Sequence, residues 1–392
     1  MTFLRPYTIA FRATTLSLLC AIPIRAAQLG DVPANVQWTT TIGDSIHAFR
    51  GRHIIVSMED GASTVLAGTY SESTLSNRKS KVLGIWIKTF NTDGKDAASF
   101  DLKNDDTHNF ADVEAFSRTR TGHLLLVLRT IDGETQITIL SARGELISET
   151  PLERGVHASA LLPLANDDFY LLGHKNLVAL VMRISAVGKG LKEMWRVSSD
   201  RGGQGMVLDG VITGNDGLVV TENSGKLEQF FMGESNIWVV KYDSAGHRLA
   251  ETQFKGRAGS LVSSSDGGYS ICYDRSASSA QSISLQSLDN DLRVRWQQPV
   301  VDIKFGLEPF VVSATQRGLA IFGQEYNRPR MAYFSKAGEK KWVYLAAQET
   351  PAIAVIGKCS GALCTVMSTQ PAIKNDNQVV NKVNVMQLLL VQ

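Results

Sequence analysis

The sequence predicts an all-β fold of seven four-stranded sheets around a central axis, with the first strand of the chain completing the last sheet. Three observations predict it. Short β-rich runs punctuated by glycine turns recur along the chain, while few stretches hold helical apolar spacing for long enough to form a helix. The unit of recurrence is about 50 residues. The last unit ends one strand short, and an unassigned strand stands near the beginning.

Taken in chain order, the N-terminus carries Arg5 and Arg12, an apolar run from Ala13 to Ile24, and small residues at Ala26 and Ala27. That is the layout of a secretory signal. Residues 1–27 are therefore read as a signal peptide and 28–392 as one domain. The apolar run contains Pro23 and falls short of the roughly 20 residues needed to span a bilayer. Leu19 before Cys20 argues against lipidation. No later segment is suited to crossing a membrane, and the compartment implied is the periplasm or the exterior.

Val36 to Ile42, carrying Trp38, is the first strand. The clearest repeat unit then runs from Gly205 to Phe254. Its strands are Leu208–Thr213, Leu218–Glu222, Ile237–Tyr242 and Leu249–Phe254, with tight turns at Asn215–Gly217 and Ser244–Gly246. The next unit repeats the plan. First-turn anchors lie at Asp60–Gly61, Gly122, Asp167–Asp168, Asp216–Gly217, Asp266–Gly267, Gly318 and Gly361. Third strands follow near Ile85–Phe90, Gln136–Leu140, Leu180–Ile184, Ile237–Tyr242, Ile283–Leu288, Met331–Phe334 and Val383–Leu390. The seventh unit stops at Gln392 without a fourth strand. Residues 36–42 are expected to supply it, because fourth strands elsewhere carry Trp195, Trp296 and Trp342 at places comparable to Trp38.

Period and content are those of β-propeller blades. The anchors resemble the aspartate–glycine turns of bacterial exported repeat propellers, and the resemblance covers nearly all of the chain after the signal. It implies architecture only, since propellers host many unrelated functions. The signature of WD repeats is absent. Ser264, Asp266, Gly268 and Ser270 resemble the aspartate box of sialidases, with Ile271 in place of the usual aromatic residue; in that family the box is a structural turn.

Forty basic and 38 acidic residues, well mixed, give a net charge of +2 and no basic stripe for phosphates, which argues against a nucleic-acid partner. After the signal, three cysteines remain: Cys272, Cys359 and Cys364. Cys359 and Cys364 would face each other across a hairpin, either bridged or as buried thiols. Cys272 sits in an apolar strand and reads as core.

Turns between first and second strands and between third and fourth strands share one face of the ring and are short. The opposite face collects residues 43–52, 71–84, 103–111, 223–236, 274–281, 301–307, 325–330 and 368–382, read as long loops. Recognition is expected there. Phe230, Phe231 and Met232 form an apolar tip suited to anchoring a protein partner, and Tyr326, Arg328 and Arg330 form a second contact group.

No nucleophile elbow, phosphate loop, paired metal-ligand histidines or dinucleotide fingerprint stands in a usable context. No catalytic residue, metal or cofactor is assigned. His47, His53, Asp105, Asp106, His108, His157, Asp209 and Glu308 could converge on the channel, yet seven histidines are unexceptional in 392 residues. The function read from the sequence is an exported, non-enzymatic propeller, monomeric when free, that grips another protein through its elaborated face. An immunity or inhibitor protein, or an assembly scaffold, would fit. The alternative is a glycan- or lactone-acting hydrolase or lyase at the channel mouth.

Overall fold

A computed structural model describes residues 34–42, 48–57, 63–74, 77–105, 108–187, 190–199, 201, 203–226, 235–264, 266–274, 283–300, 311–315, 317–325, 328–344, 354–373 and 379–390. The signal-peptide reading of residues 1–27 lies outside them. Strand β1 is Ala34–Ile42. Blade 1 is β2 (Ala48–Ser57), β3 (Ser63–Thr74), β4 (Asn77–Asn91) and β5 (Asp96–Lys103). Blade 2 is β6 (Phe110–Arg118), β7 (Leu124–Thr130), β8 (Thr135–Leu140) and β9 (Leu146–Pro151). Blade 3 is β10 (Val156–Pro163), β11 (Phe169–Lys175), β12 (Val178–Val187) and β13 (Gly190–Ser199). Blade 4 is β14 (Gln204–Ile212), β15 (Leu218–Gly225), β16 (Asn236–Tyr242) and β17 (Arg248–Lys255). Blade 5 is β18 (Arg257–Ser263), β19 (Tyr269–Asp274), β20 (Ile283–Leu288) and β21 (Val294–Val300). Blade 6 is β22 (Val311–Ala314), β23 (Gly318–Glu325), β24 (Arg328–Ser335) and β25 (Lys340–Tyr344). Blade 7 is β26 (Ala354–Ser360), β27 (Leu363–Ile373), β28 (Val379–Leu390) and, as its fourth strand, β1.

The protein is a seven-bladed β-propeller, every sheet antiparallel and four-stranded. β1 closes the ring by pairing with β28, from Ala34 opposite Leu390 to Ile42 opposite Val383. All seven third strands stand where the repeat places them, differing only in where they end. Runs buried on both sides occur in second strands, such as Leu124–Leu128 and Leu218–Val220, and in the third strand Ile283–Leu288. Fourth strands alternate, with one side to solvent. Among the described residues no helix is long and apolar enough to cross a membrane.

A single device recurs on the short-turn face. The turns at residues 91–95, 141–145, 243–247, 289–293 and 335–339 each pair the first amide with the fifth carbonyl and the fourth amide with the first carbonyl. The first side chain caps the turn from within: Asn91 Oδ1 accepts from the Asp93 and Lys95 amides, and Asp243 Oδ1 from Ala245 and His247. The fourth residue has positive φ at Gly94, Gly144, Gly246, Leu292 and Gly338. Across the seam, a large ring of the preceding blade's fourth strand lies on that glycine. Trp38 covers Gly94 and Phe100 covers Gly144, so closely that a Cβ on either glycine would overlap the ring. Trp195 covers Gly246 and Trp296 covers Gly338, where a Cβ would come within 3.0 and 3.2 Å. Trp38, Trp195 and Trp296 each follow a register shift, and Trp195 Nε1 also donates across the seam to the Ser244 carbonyl at 2.9 Å. Between blades 4 and 5 the sizes are exchanged. Ala250 occupies the ring position after the same shift in β17, and the buried Leu292 takes the glycine's place and packs in the cluster that Ala250 borders.

Candidate functional site

The opposite face is where second strands pass into third strands and fourth strands into the next blade. In four of the stretches expected there as loops the described residues are strand instead, residues 48–52 lying in β2. The β3–β4 ladder continues to Thr74 opposite Asn77, the β27–β28 ladder to Ile373 opposite Val379, and the β23–β24 ladder to Glu325 opposite Arg328. The physical reason is that backbone pairing needs no apolar alternation, so polar residues such as Ser71 and Glu72 still pair, opposite Val82 and Lys81. β3 and β27 have 12 and 11 residues, against 7, 7 and 8 for β7, β11 and β15. Four extra residues at about 3.3 Å each raise a wall roughly 13 Å high over the adjacent blades 7 and 1.

Blades 2 and 3 are low on this face, closing with short turns after Thr130 and Lys175. Here, at the start of the inner strands, a pocket of about 470 Å³ opens, lined by Asp112, Glu114, Arg129, His157, Ala158, Ser159, His174 and Met206. Glu114 stands at a bulge in β6 between Val113 and Ala115, a device that re-aims one side chain. Its Oε2 accepts the Ala158 amide at 2.9 Å, tying blade 2 to blade 3. Its Oε1 lies 2.8 Å from His157 Nδ1 and 3.3 Å from Arg129 Nε. Arg129 Nη2 also reaches Asp112 Oδ2 at 3.5 Å.

His157 and His174 are cross-strand partners on β10 and β11, with ring centroids 5.1 Å apart. Gly173 beside them has no room for a Cβ, which would overlap the His157 carbonyl. His174 Nδ1 accepts the Leu177 amide at 3.3 Å, so the neutral ring carries its proton on Nε2. Leu177 and Asn176 both have positive φ in the tight turn that delivers this amide. Burial, and then the neighbouring His157, push the His174 imidazole below its ordinary range against the pull of Glu114. It is neutral at neutral pH.

Of the sequence-named residues, Phe230, Phe231, Met232 and Tyr326 lie outside the described residues, as do His47, Asp106 and Glu308. Arg328 opens β24, and Arg330 follows two residues later, partly buried. His157 joins the pocket. Asp209 does not. Its carboxylate accepts from Ser260 Oγ and the Leu261 amide at 2.8 Å each, clamping blade 4 to blade 5. Burial pushes its carboxyl above the ordinary carboxylate range, opposed by those donors. Asp105 and His108 form a local loop clasp that reaches Glu149, away from the inner strands. Sequence reasoning missed Glu114, Arg129 and His174. The available signal was spacing, since Glu114 precedes His157 by 43 residues, close to one repeat. Cys359 and Cys364 are joined by a disulfide across the first turn of blade 7, and Cys272 is a buried free thiol. Among the described residues no group of three or more histidines, cysteines or carboxylates is placed to hold a metal ion.

No protein-family model matches the chain, and no curated protein matches it. Solved structures do. The β-propeller domain of Cps50 (Swd1) from Myceliophteria thermophila is 9% identical with a TM-score of 0.56, covering 92% of this chain and 100% of that one. The WD40 domain of coronin from Toxoplasma gondii is 10% identical with a TM-score of 0.53, covering 93% and 89%. A candidate 6-phosphogluconolactonase from Bacteroides fragilis is 13% identical with a TM-score of 0.51, covering 83% and 95%. At such identities the likeness is one of fold.

Proposed function

We propose that the chain is an exported propeller that captures another protein on the face carrying the β3–β4 and β27–β28 hairpins, without catalysing a reaction on it. The single observation that carries the reading is the wall over blades 7 and 1. Extending two neighbouring ladders beyond what ring closure requires orders extra backbone at an entropic cost, and rigid projections on a propeller face are suited to recognition. The Cys359–Cys364 disulfide supports export, since such bonds persist in oxidising compartments. An inhibitor, an immunity protein or an assembly scaffold would use such a face in the same way. The Phe230–Met232 tip and the group of Tyr326, Arg328 and Arg330 belong to the same face by chain position and are proposed as its contact residues.

The test is affinity capture from the native source with the intact protein. Its controls trim the β3–β4 ladder back to Tyr70 and Gly84 or replace Phe230 and Phe231 with Ser. One stoichiometric partner, lost with the shortened hairpin and retained by a short-turn-face variant, is the expected result. A partner held equally by every variant would overturn it.

A further inference from the structure

We propose that the pocket at the inner ends of blades 2 to 4 binds one neutral, polyhydroxylated ring, a monosaccharide unit, independently of any protein partner. The fold has already used part of the pocket's hydrogen-bonding capacity. Both carboxylates are engaged within the protein: Glu114 with the Ala158 amide, His157 and Arg129, and Asp112 with the Val113 amide and Arg129. The groups with capacity left over are of both kinds. His157 Nδ1 faces Glu114 Oε1, and in the tautomer that donates this Nδ1–H to the carboxylate, Nε2 keeps a lone pair and is an acceptor. His174 is the mirror case, because Nδ1 accepts from Leu177 and Nε2–H is a donor. Arg129 uses Nε and Nη2 on carboxylates, which leaves the N–H groups of Nη1. Ser159, the extra residue at the β10 bulge, adds a hydroxyl that donates and accepts.

An acceptor and a donor on adjacent imidazoles match a hydroxyl group, which gives one proton and takes another. A ligand anion would meet two carboxylates, and a ligand cation would meet Arg129 and the His174 N–H, so a full charge of either sign is left unmatched. The apolar lining is limited to Ala158 and Met206, enough for the C–H face of a sugar and too little for a hydrophobic ligand. The volume of about 470 Å³ lies within the range of small-molecule sites.

Titration calorimetry of the intact protein against methyl glucoside, methyl galactoside, N-acetylglucosamine, galacturonate and glucosamine tests the proposal. The expected result is saturable binding of at least one neutral sugar, with neither charged sugar binding more tightly. Ser159→Ala and His174→Asn should each weaken that binding about tenfold, with the melting temperature of Ser159→Ala unchanged. Long-range proton–nitrogen NMR should place the protons on His157 Nδ1 and His174 Nε2 in the free protein. No saturable binding by any neutral sugar, tighter binding of a charged one, or binding unmoved by both variants would overturn it.

Discussion

The two faces of the ring differ in how uniform they are. On the short-turn face one arrangement recurs at seam after seam, a capped five-residue turn whose fourth residue receives a ring from the preceding blade. On the hairpin face the blades diverge, from the low turns of blades 2 and 3 to the extended ladders of blades 7 and 1. At the four described seams that share it, the arrangement packs a ring of one blade against a turn of the next, so the short-turn face carries cohesion there. The hairpin face, where the blades differ, is the one proposed for recognition.

The comparison breaks most visibly at the closing seam. Deleting Ala34–Ile42 removes the strand opposite β28 together with the buried Trp38 and Ile42. A loss of more than about 5 kcal/mol is expected from the two side chains alone, and an unchanged urea midpoint would contradict the account. Next come the glycines. Gly94→Ala meets the Trp38 ring at positive φ and should cost about 2–4 kcal/mol, combining backbone strain with overpacking. Gly133, on the hairpin face, also has positive φ, but a Cβ there meets nothing within 4 Å. Gly133→Ala should therefore cost only the backbone part, about 1 kcal/mol. Equal losses in thermal unfolding would erase the distinction between the faces.

The size exchange at Ala250 and Leu292 allows a finer test. Leu292→Gly should destabilise by about 1–3 kcal/mol through the cavity it leaves, partly offset by relief of its positive φ. Combining it with Ala250→Trp rebuilds the arrangement of the other seams. The double-mutant cycle should show favourable coupling of about 1 kcal/mol, and simple additivity would sink the equivalence.

Asp168 supplies a pH test on the short-turn face. Burial pushes its carboxyl up, but hydrogen bonds from Ser185, Asn166 and Arg183 outweigh that, and it titrates below its ordinary range. A depressed folded-state value means that its contribution is present above the unfolded value and is lost as the pH falls through the folded one. Asp168→Asn should thus lie about 1 kcal/mol below the parent at neutral pH, with the gap closing below about pH 4. Melting curves across that range decide it; a gap that widens on acidification would be the wrong sign. The smallest effect belongs to the wall. Trimming the β3–β4 ladder should cost about 1 kcal/mol or less, because backbone hydrogen bonds lost there are exchanged for bonds to water.

The fold was legible because Trp38, Trp195 and Trp296 and the glycine turns recur at one period, and because the missing last strand matched the extra first one. The turn at residues 289–293 was harder to see, since Leu292 stands where glycine punctuates the others and only Asp289 keeps the pattern. The wall was misread as loops because its ladders are polar and held by the backbone. In the pocket, His157 was visible as a histidine, but Glu114, Arg129 and His174 converge only when successive inner strands stand side by side. No local motif carries that.

The division of labour between the faces is tested most directly by site-specific photo-crosslinking in the native cell. A benzophenone amino acid at Thr74 or Gln370 reports on the wall, and at Asp93 or Ala245 on the short turns. The account predicts one discrete adduct with a second protein from the first pair and none from the second. Adducts from the short-turn positions, with none from the wall, would contradict it.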